Sequence, residues 1–175
     1  MCPDARVERV SNPSIFFAIA GISMSFGGFA GLFLALRPHG DRWGAREVGQ
    51  IKTIVTFALT AMFSALLVVP AASMIGESTA IRLAAAITLV VEFYGHQIRV
   101  GTAWLTWRRV EHLPRREWIT QGLPFIFLAI VEQALLLAVV VQPITELYEL
   151  AVIFMLGTPA WAFLNVVSRV GSVET

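Results

Sequence analysis

The chain has 175 residues, of which 57% are hydrophobic and 14% are charged. Soluble domains average about 45–50% apolar and about 25% charged residues, so the composition departs from theirs. The high hydrophobicity excludes a disordered chain, and a single cysteine excludes a disulfide scaffold. A net charge of +1 provides no field that would attract nucleic acid, so we expect no nucleic-acid partner. The class that remains is a polytopic membrane protein.

Five segments are long and apolar enough to cross a hydrocarbon core, which takes about 20 residues. They predict an all-α bundle of about five transmembrane helices that forms a single integral membrane domain, residues 1–175. Helices are favoured over barrel strands because the segments are apolar on all sides. The predicted spans are residues 13–36, 51–74, 79–100, 119–141 and 147–168. The third is the weakest, because it carries the most charged residues.

The first predicted helix is rich in small residues, which permit the close helix approach that holds membrane bundles together. Six of them form two neighbouring faces: Gly21, Ser23, Ser25, Gly27, Gly28 and Gly31. We interpret these residues as helix-packing positions within one bundle. Homo-oligomerisation through the same residues is the alternative.

The second predicted helix carries hydroxyl residues at four-residue spacing, namely Thr56, Thr60 and Ser64. Such a stripe would suit a hydrated path. More often, hydroxyls in membrane helices bond back to carbonyls of the preceding turn or join helices together.

A polar stripe along the third predicted helix is the most informative feature of the sequence. At about 100° per residue, one narrow sector holds Thr88, Glu92, His96, Arg99 and Thr106, with Arg82 further round. A central charge costs about 2.5–3.5 kcal/mol, so the stripe must face the bundle interior, a partner or water. Either the arginines extend to the two membrane surfaces and Glu92 makes a structural hydrogen bond, or the stripe forms an ion or proton pathway.

Glu132 lies near the centre of the fourth predicted helix, where its short side chain cannot reach water. It must therefore be protonated, paired or solvated in a cavity. Its possible partners are His96, Arg82, Asn165 of the fifth helix, and Glu92, with which it could share one proton. Of all residues in the chain, Glu132 is the one we expect to be essential for function.

The fifth predicted helix contains the sequence Gly157-Thr158-Pro159, and a proline within a span predicts a kink. The helix also presents a face that we expect to pack inward, formed by Ala151, Thr158, Ala162 and Asn165.

Orientation follows from the bias of Lys and Arg in short loops, which favours the cytoplasmic side. Most basic residues fall on one side of the predicted spans: Arg37, Arg42, Arg46, Lys52, Arg99, Arg108, Arg109, Arg115, Arg116 and Arg169. This places the amino terminus outside and the carboxyl terminus in the cytoplasm. Lys52 is the single lysine, a skew typical of GC-rich bacteria, so we expect a bacterial inner membrane.

Tryptophans and arginines in residues 102–118 predict a cytoplasmic interfacial segment.

Motifs of soluble enzyme chemistry are missing from the sequence: there is no Walker A loop, dinucleotide fingerprint, HExxH, CxxC or GxSxG. We therefore predict no enzymatic activity, no cofactor and no bound metal. A metal site of His96, Glu92 and Glu132, and a membrane enzyme with an intramembrane acid–base pair, are lesser alternatives.

Two hypotheses of different classes follow. The first is a small oligomeric ion channel or ion-coupled transporter, in which Glu92, His96 and Glu132 are the polar elements and Arg82 and Arg99 set the field at either end. The second is a non-conducting accessory or assembly subunit, whose buried charges pair with one another or with a partner membrane subunit. Both have the lipid bilayer as their surroundings.

Overall fold

The computed structural model describes residues 12–36, 45–97 and 115–170, and nearly all of them are helical. The elements, in chain order, are α1 Pro13–Leu36, α2 Ala45–Ile75, α3 Glu77–Val90, a π-helix Val91–Gln97, α4 Arg115–Val141 and α5 Thr145–Val170. The π-helix follows α3 without a break. The described residues contain no strand, so the predicted all-α helix bundle is confirmed.

Four of these helices are long and apolar enough to cross a membrane, and they correspond to four of the five predicted spans. Their apolar segments are Pro13–Ala35, Val48–Ile75, Gly122–Val141 and Thr145–Ser168. The helices themselves begin or end within a few residues of the predicted bounds, and α1 matches its bounds at both ends. These helices indicate a multi-pass membrane protein.

The third predicted span, residues 79–100, is not a single α-helix in the structure but an α-helix followed by a π-helix. Its α-helical part, Glu77–Val90, has 14 residues. At 1.5 Å per residue this is about 21 Å, which is shorter than a hydrocarbon core of about 30 Å. The π-helix Val91–Gln97 continues the same rod. Residues 98–100 and most of the predicted interfacial segment 102–118 lie outside the described residues, and α4 begins within that segment at Arg115.

Helices α2 and α5 form the centre of the bundle. Helix α2 packs against α1, α3 and α5, while α5 also packs against α4 and more lightly against α1 and α3. The interior stripe of α2 follows helical spacing and is dominated by alanine: Phe57, Ala61, Ala65, Val68 and Ala72. Small side chains allow close helix approach, which dispersion must stabilise because lipid provides no hydrophobic drive between helices.

The exterior of the bundle carries large apolar side chains. Examples from all five helices are Phe17, Met24, Phe29, Phe63, Leu67, Leu83, Leu123, Phe127, Leu137, Ile153 and Leu164. A soluble protein would bury such side chains, so this surface suits contact with a lipid bilayer.

The small residues of α1 face in different directions. Ser23 is buried and donates a hydrogen bond to the Ile19 carbonyl at 2.8 Å. Gly21, Ser25 and Gly28 are exposed on the opposite face. Among the described residues, no atom outside the local helix lies within 4 Å of a Cβ built on Gly21, Gly27, Gly28 or Gly31. These glycines therefore do not bring two of the described helices into close contact.

A close helix approach that does depend on glycine occurs between α4 and α5. A Cβ built on Gly157 would lie 2.9 Å from Cδ2 of Leu128. Leu128 lies one helical turn before Glu132, so this contact also sets the position of Glu132 relative to α5.

Replacing Gly157 with leucine is expected to lower the free energy of unfolding by about 1–3 kcal/mol, the usual cost of overpacking. The measurement is SDS titration in mixed micelles. The double variant Gly157→Leu with Leu128→Ala makes room for the new side chain and is expected to recover part of the loss. Equal losses in the single and double variants would contradict the contact.

Candidate intramembrane carboxyl site

Two glutamate side chains are buried inside the bundle. Glu92 is 0% exposed and Glu132 is 1% exposed. Glu92 belongs to the π-helix that follows α3, whereas Glu132 lies in the middle of the apolar segment of α4. The two carboxyl groups interact electrostatically. Of the partners left open for Glu132 by the sequence, the structure brings Glu92 to it.

The change from α-helix to π-helix determines how Glu92 is presented. At the junction, the Val91 N–H faces the carbonyls of both Ile87 and Thr88. A π-helix bonds from residue i to i+5 and has a wider turn than an α-helix, so it alters the faces of the residues that follow. Thr88 and Glu92 lie one turn apart and are both buried. Short π-helical segments occur frequently at functional sites.

Glu132 is surrounded by the apolar interior. Leu136 and Val139 follow it on α4, and both are 0% exposed. Its Oε1 atom is buried and has no hydrogen-bond partner in the part of the chain that the structure describes. An isolated carboxylate is very costly in such surroundings. The position therefore suits a carboxyl that holds a proton, or one that meets a transferred ion or an internal water.

A cluster of three hydroxyl residues joins α2, α3 and α5 next to this pair. The Ser64 and Thr88 hydroxyl oxygens are 2.8 Å apart, and the Tyr148 hydroxyl donates to the Ser64 carbonyl at 2.9 Å. The Tyr148 hydroxyl also interacts with the side chains of Thr88 and Ser64. All three residues are buried. We refer to Ser64, Thr88 and Tyr148 as the hydroxyl cluster.

The hydroxyl stripe of α2 therefore divides into two parts. Thr56 donates to the Lys52 carbonyl at 2.6 Å, and Thr60 donates to the Thr56 carbonyl at 3.0 Å. These are the local bonds that hydroxyls usually make in helices. Ser64 of this stripe bonds across to another helix, because α3 places Thr88 opposite it.

A groove of about 400 Å³ lies between α2 and α3 on the outside of the hydroxyl cluster. Ser64 and Thr88 are among its lining residues, but most of its wall is formed by apolar side chains such as Leu59, Phe63 and Leu83. The groove thus brings the outer surface of the bundle close to the cluster.

Helix α5 contributes a further buried polar atom. Thr158 is 1% exposed, and its Oγ1 has no hydrogen-bond partner among the described residues. The next residue, Pro159, has no N–H, so the carbonyl of Met155 four residues earlier loses its helical donor. The expected inward face of α5 matches the structure at Ala151 and Ala162, which are both buried.

The other candidate residues are not brought to the carboxyl pair in the described part of the structure. Arg82 is exposed on α3, and Asn165 is half-buried on α5. The backbone of His96 belongs to the π-helix, but its side chain lies outside the described residues, as does the whole of Arg99. Tyr148 was not singled out from the sequence. The sequence feature that could have identified Tyr148 is its position as the one phenol on the apolar face of α5, which also contains Ala151 and Val152.

The fold and the site define a multi-pass α-helical membrane protein with a pair of carboxyl groups buried in its interior. Within residues 12–36, 45–97 and 115–170, no group of three or more His, Cys, Asp or Glu residues is arranged to hold a metal ion. Comparison with protein-family models, curated proteins and solved structures finds no match.

Proposed function

We propose that this protein is a small ion channel or ion-coupled transporter, and that Glu92 and Glu132 form its intramembrane ion site. The observation that carries the proposal is the pair itself: two carboxyl groups, each at most 1% exposed, interact inside a bundle whose surface is apolar. Ionisable residues within membrane spans are costly and typically mark ion pathways or proton relays.

Two features of the surroundings support this function over a purely structural role. The Oε1 atom of Glu132 has no hydrogen-bond partner among the described residues, so at least this atom is not held by a structural bond. The hydroxyl cluster lies one helical turn from Glu92 and extends the polar interior towards the Gly76 end of the bundle. A pair of carboxyl groups with a purely structural role would not need a neighbouring cluster of buried hydroxyls.

The proposed location is the inner membrane of a bacterium, with the amino terminus outside and the carboxyl terminus in the cytoplasm. The positive-inside bias supports this orientation. It puts Gly76 and the connection between α4 and α5, residues 142–144, at the outer surface. Both connections are short and contain no basic residue.

The direct test is reconstitution of the purified chain in proteoliposomes, followed by measurement of H⁺, Na⁺ and K⁺ flux under an imposed membrane potential. The proposal expects flux of at least one of these ions above that of protein-free vesicles. The absence of flux for all three would overturn it and favour the second function.

The second candidate function is a non-conducting accessory or assembly subunit. One observation favours it: Gly21, Ser25 and Gly28 form an exposed face of α1 that no other helix of the described chain covers. Small residues at this spacing are typical of contacts between membrane helices. The occupant would be the same face of a second copy or a helix of a partner membrane subunit, so a homo-oligomer fits either function.

Replacing Gly28 with leucine is expected to dissociate such an oligomer without lowering the stability of the chain. Among the described residues, a Cβ at this position has no atom from outside the local helix within 4 Å, but a leucine would prevent close approach of a second helix. The measurement is molecular mass by light scattering in detergent. The matched control is Ile22→Leu, a substitution at another exposed position of α1, which should keep the mass of the native chain. A native chain that is already monomeric would contradict the oligomer.

A further inference from the structure

The hydroxyl cluster and the carboxyl pair lie next to each other in an otherwise apolar interior. Thr88 belongs to the cluster, and Glu92 follows it by four residues, which is one helical turn on the same face. Glu92 in turn interacts with Glu132 of α4. Polar groups therefore extend through the contacts of α3 with α2, α4 and α5.

At its other end, this region points towards the outer ends of α3 and α5. Tyr148 lies one turn after Thr145, whose hydroxyl donates to Oε1 of Glu77 at 2.8 Å. Glu149 is half-buried beside Tyr148 and interacts electrostatically with Glu146 and Glu77. The region is thus acidic where it approaches the bundle surface, and a negative potential there raises the local concentration of cations, protons included.

The described ionisable groups along this region are few, and they can be named for each helix. Helix α3 and the π-helix contribute Glu77 and Glu92, α4 contributes Glu132, and α5 contributes Tyr148 together with Glu146 and Glu149. Helix α2 contributes only hydroxyls here, because Lys52, its described cation, is exposed near the opposite end.

The chemistry of these groups fits a proton better than a metal cation. Hard cations such as Ca²⁺ and Mg²⁺ take about six or more oxygen ligands. The described residues contain no group of three or more His, Cys, Asp or Glu side chains that could hold a metal ion. A proton needs only donors and acceptors at hydrogen-bond distance, and the oxygens of Ser64 and Thr88 are 2.8 Å apart.

We propose that the ion carried by this protein is a proton, and that it reaches Glu92 and Glu132 from the Gly76 end through the hydroxyls of Tyr148, Ser64 and Thr88. This inference rests on the proposed function, since it names the ion and the route for the same carboxyl site. Residues of the hydroxyl cluster act as relays, and the carboxyl pair is the position at which the proton is held.

Each step of the transfer makes and breaks only O–H bonds. A relay hydroxyl accepts a proton on its oxygen while it releases its own proton to the next oxygen, so the relay ends chemically unchanged. The Glu92 carboxylate takes up the proton and becomes a carboxylic acid. It then passes the proton to the carboxylate of Glu132, which releases it to water on the far side.

The test uses the full chain in proteoliposomes that contain a pH-sensitive dye, with proton uptake driven by a potassium potential and valinomycin. Thr88→Val and Tyr148→Phe each remove one hydroxyl with little change in volume. Each is expected to lower the proton flux about tenfold, the effect of one lost hydrogen bond in the rate-limiting transfer. The matched control is Thr53→Val, which removes a buried hydroxyl of α2 that, among the described residues, bonds locally to the Gly49 carbonyl. It should retain the native flux.

The outcomes separate this inference from the proposed function. Sodium or potassium flux that needs Glu132, without proton flux, would overturn the inference and leave the proposed function intact. Absence of flux for every ion would overturn both. Native proton flux in both Thr88→Val and Tyr148→Phe would overturn the route alone.

Folding is checked by monodisperse elution in detergent before any flux is compared. If Tyr148→Phe fails this check, Ser64→Ala replaces it, since the Ser64 carbonyl that accepts from Tyr148 stays in place. The expectation for Ser64→Ala is the same tenfold loss, and native flux in this variant would overturn the route.

Discussion

Replacing Glu132 with glutamine is expected to lower the ion flux of proteoliposomes by about 100-fold or more, within the range for loss of a positioned proton-transfer group. Glutamine has nearly the same size and keeps polar atoms at the same place, but it neither carries a negative charge nor exchanges a proton. Glu132 is followed on α4 by the buried apolar residues Leu136 and Val139, so neither of these neighbours can take over the role of the carboxyl.

The matched variant is Glu132→Asp, which retains a carboxyl group on a side chain shorter by one methylene. It is expected to recover part of the flux, because the chemistry is kept and only the reach is reduced. Both variants are compared at equal protein content after size-exclusion chromatography. Native flux in Glu132→Gln would show that Glu132 is not part of the ion site.

Replacing Glu132 with methionine is expected to raise the free energy of unfolding by about 1–3 kcal/mol, the usual cost of a buried polar group that lacks a partner. Methionine has a similar length and no polar atom to desolvate. The buried Oε1 atom, which has no hydrogen-bond partner among the described residues, disappears in this variant. Flux should be lost at the same time, because methionine has no carboxyl group to hold an ion. Such a trade-off between stability and activity is common at functional sites. SDS titration in mixed micelles gives the stability, and the dye assay gives the flux.

The control for this gain is Leu136→Met, which introduces the same side chain one turn further along α4. Leu136 is fully buried and apolar, so its variant is expected to lose stability by less than about 1.5 kcal/mol. A destabilised Glu132→Met variant would contradict the prediction. It would mean that the interaction between Glu132 and Glu92 stabilises the fold, which favours the accessory-subunit function.

The helices could be predicted from the sequence because hydropathy over some 20 residues reflects the membrane thickness directly. The run at residues 13–36 became a helix with the same bounds. The π-helix could not be predicted, because no sequence pattern in Val91–Gln97 distinguishes a π-helix from an α-helix. The sequence predicted a single helix over residues 79–100, whereas the structure has an α-helix, Glu77–Val90, followed by a π-helix, Val91–Gln97.

The candidate site could be predicted in part. Burial of Glu132 follows from a short charged side chain at the centre of an apolar run. The sequence does not specify that Glu92, rather than Arg82 or Asn165, lies next to Glu132. Any of these residues could have faced α4 in another arrangement of the helices. The structure leaves Arg82 exposed and buries Glu92.

Sequence alone predicted a membrane-embedded helix bundle, and it made the few intramembrane carboxyl groups the candidates for a functional role. Those conclusions depend on length and hydropathy, which are properties of each segment by itself. The tertiary structure decided which groups meet: Glu92 with Glu132, and Ser64 with Thr88 and Tyr148. It also decided that Gly21, Gly28 and Gly31 of α1 are exposed. Helix rotation and register depend on all the packing contacts together, and no single segment specifies them.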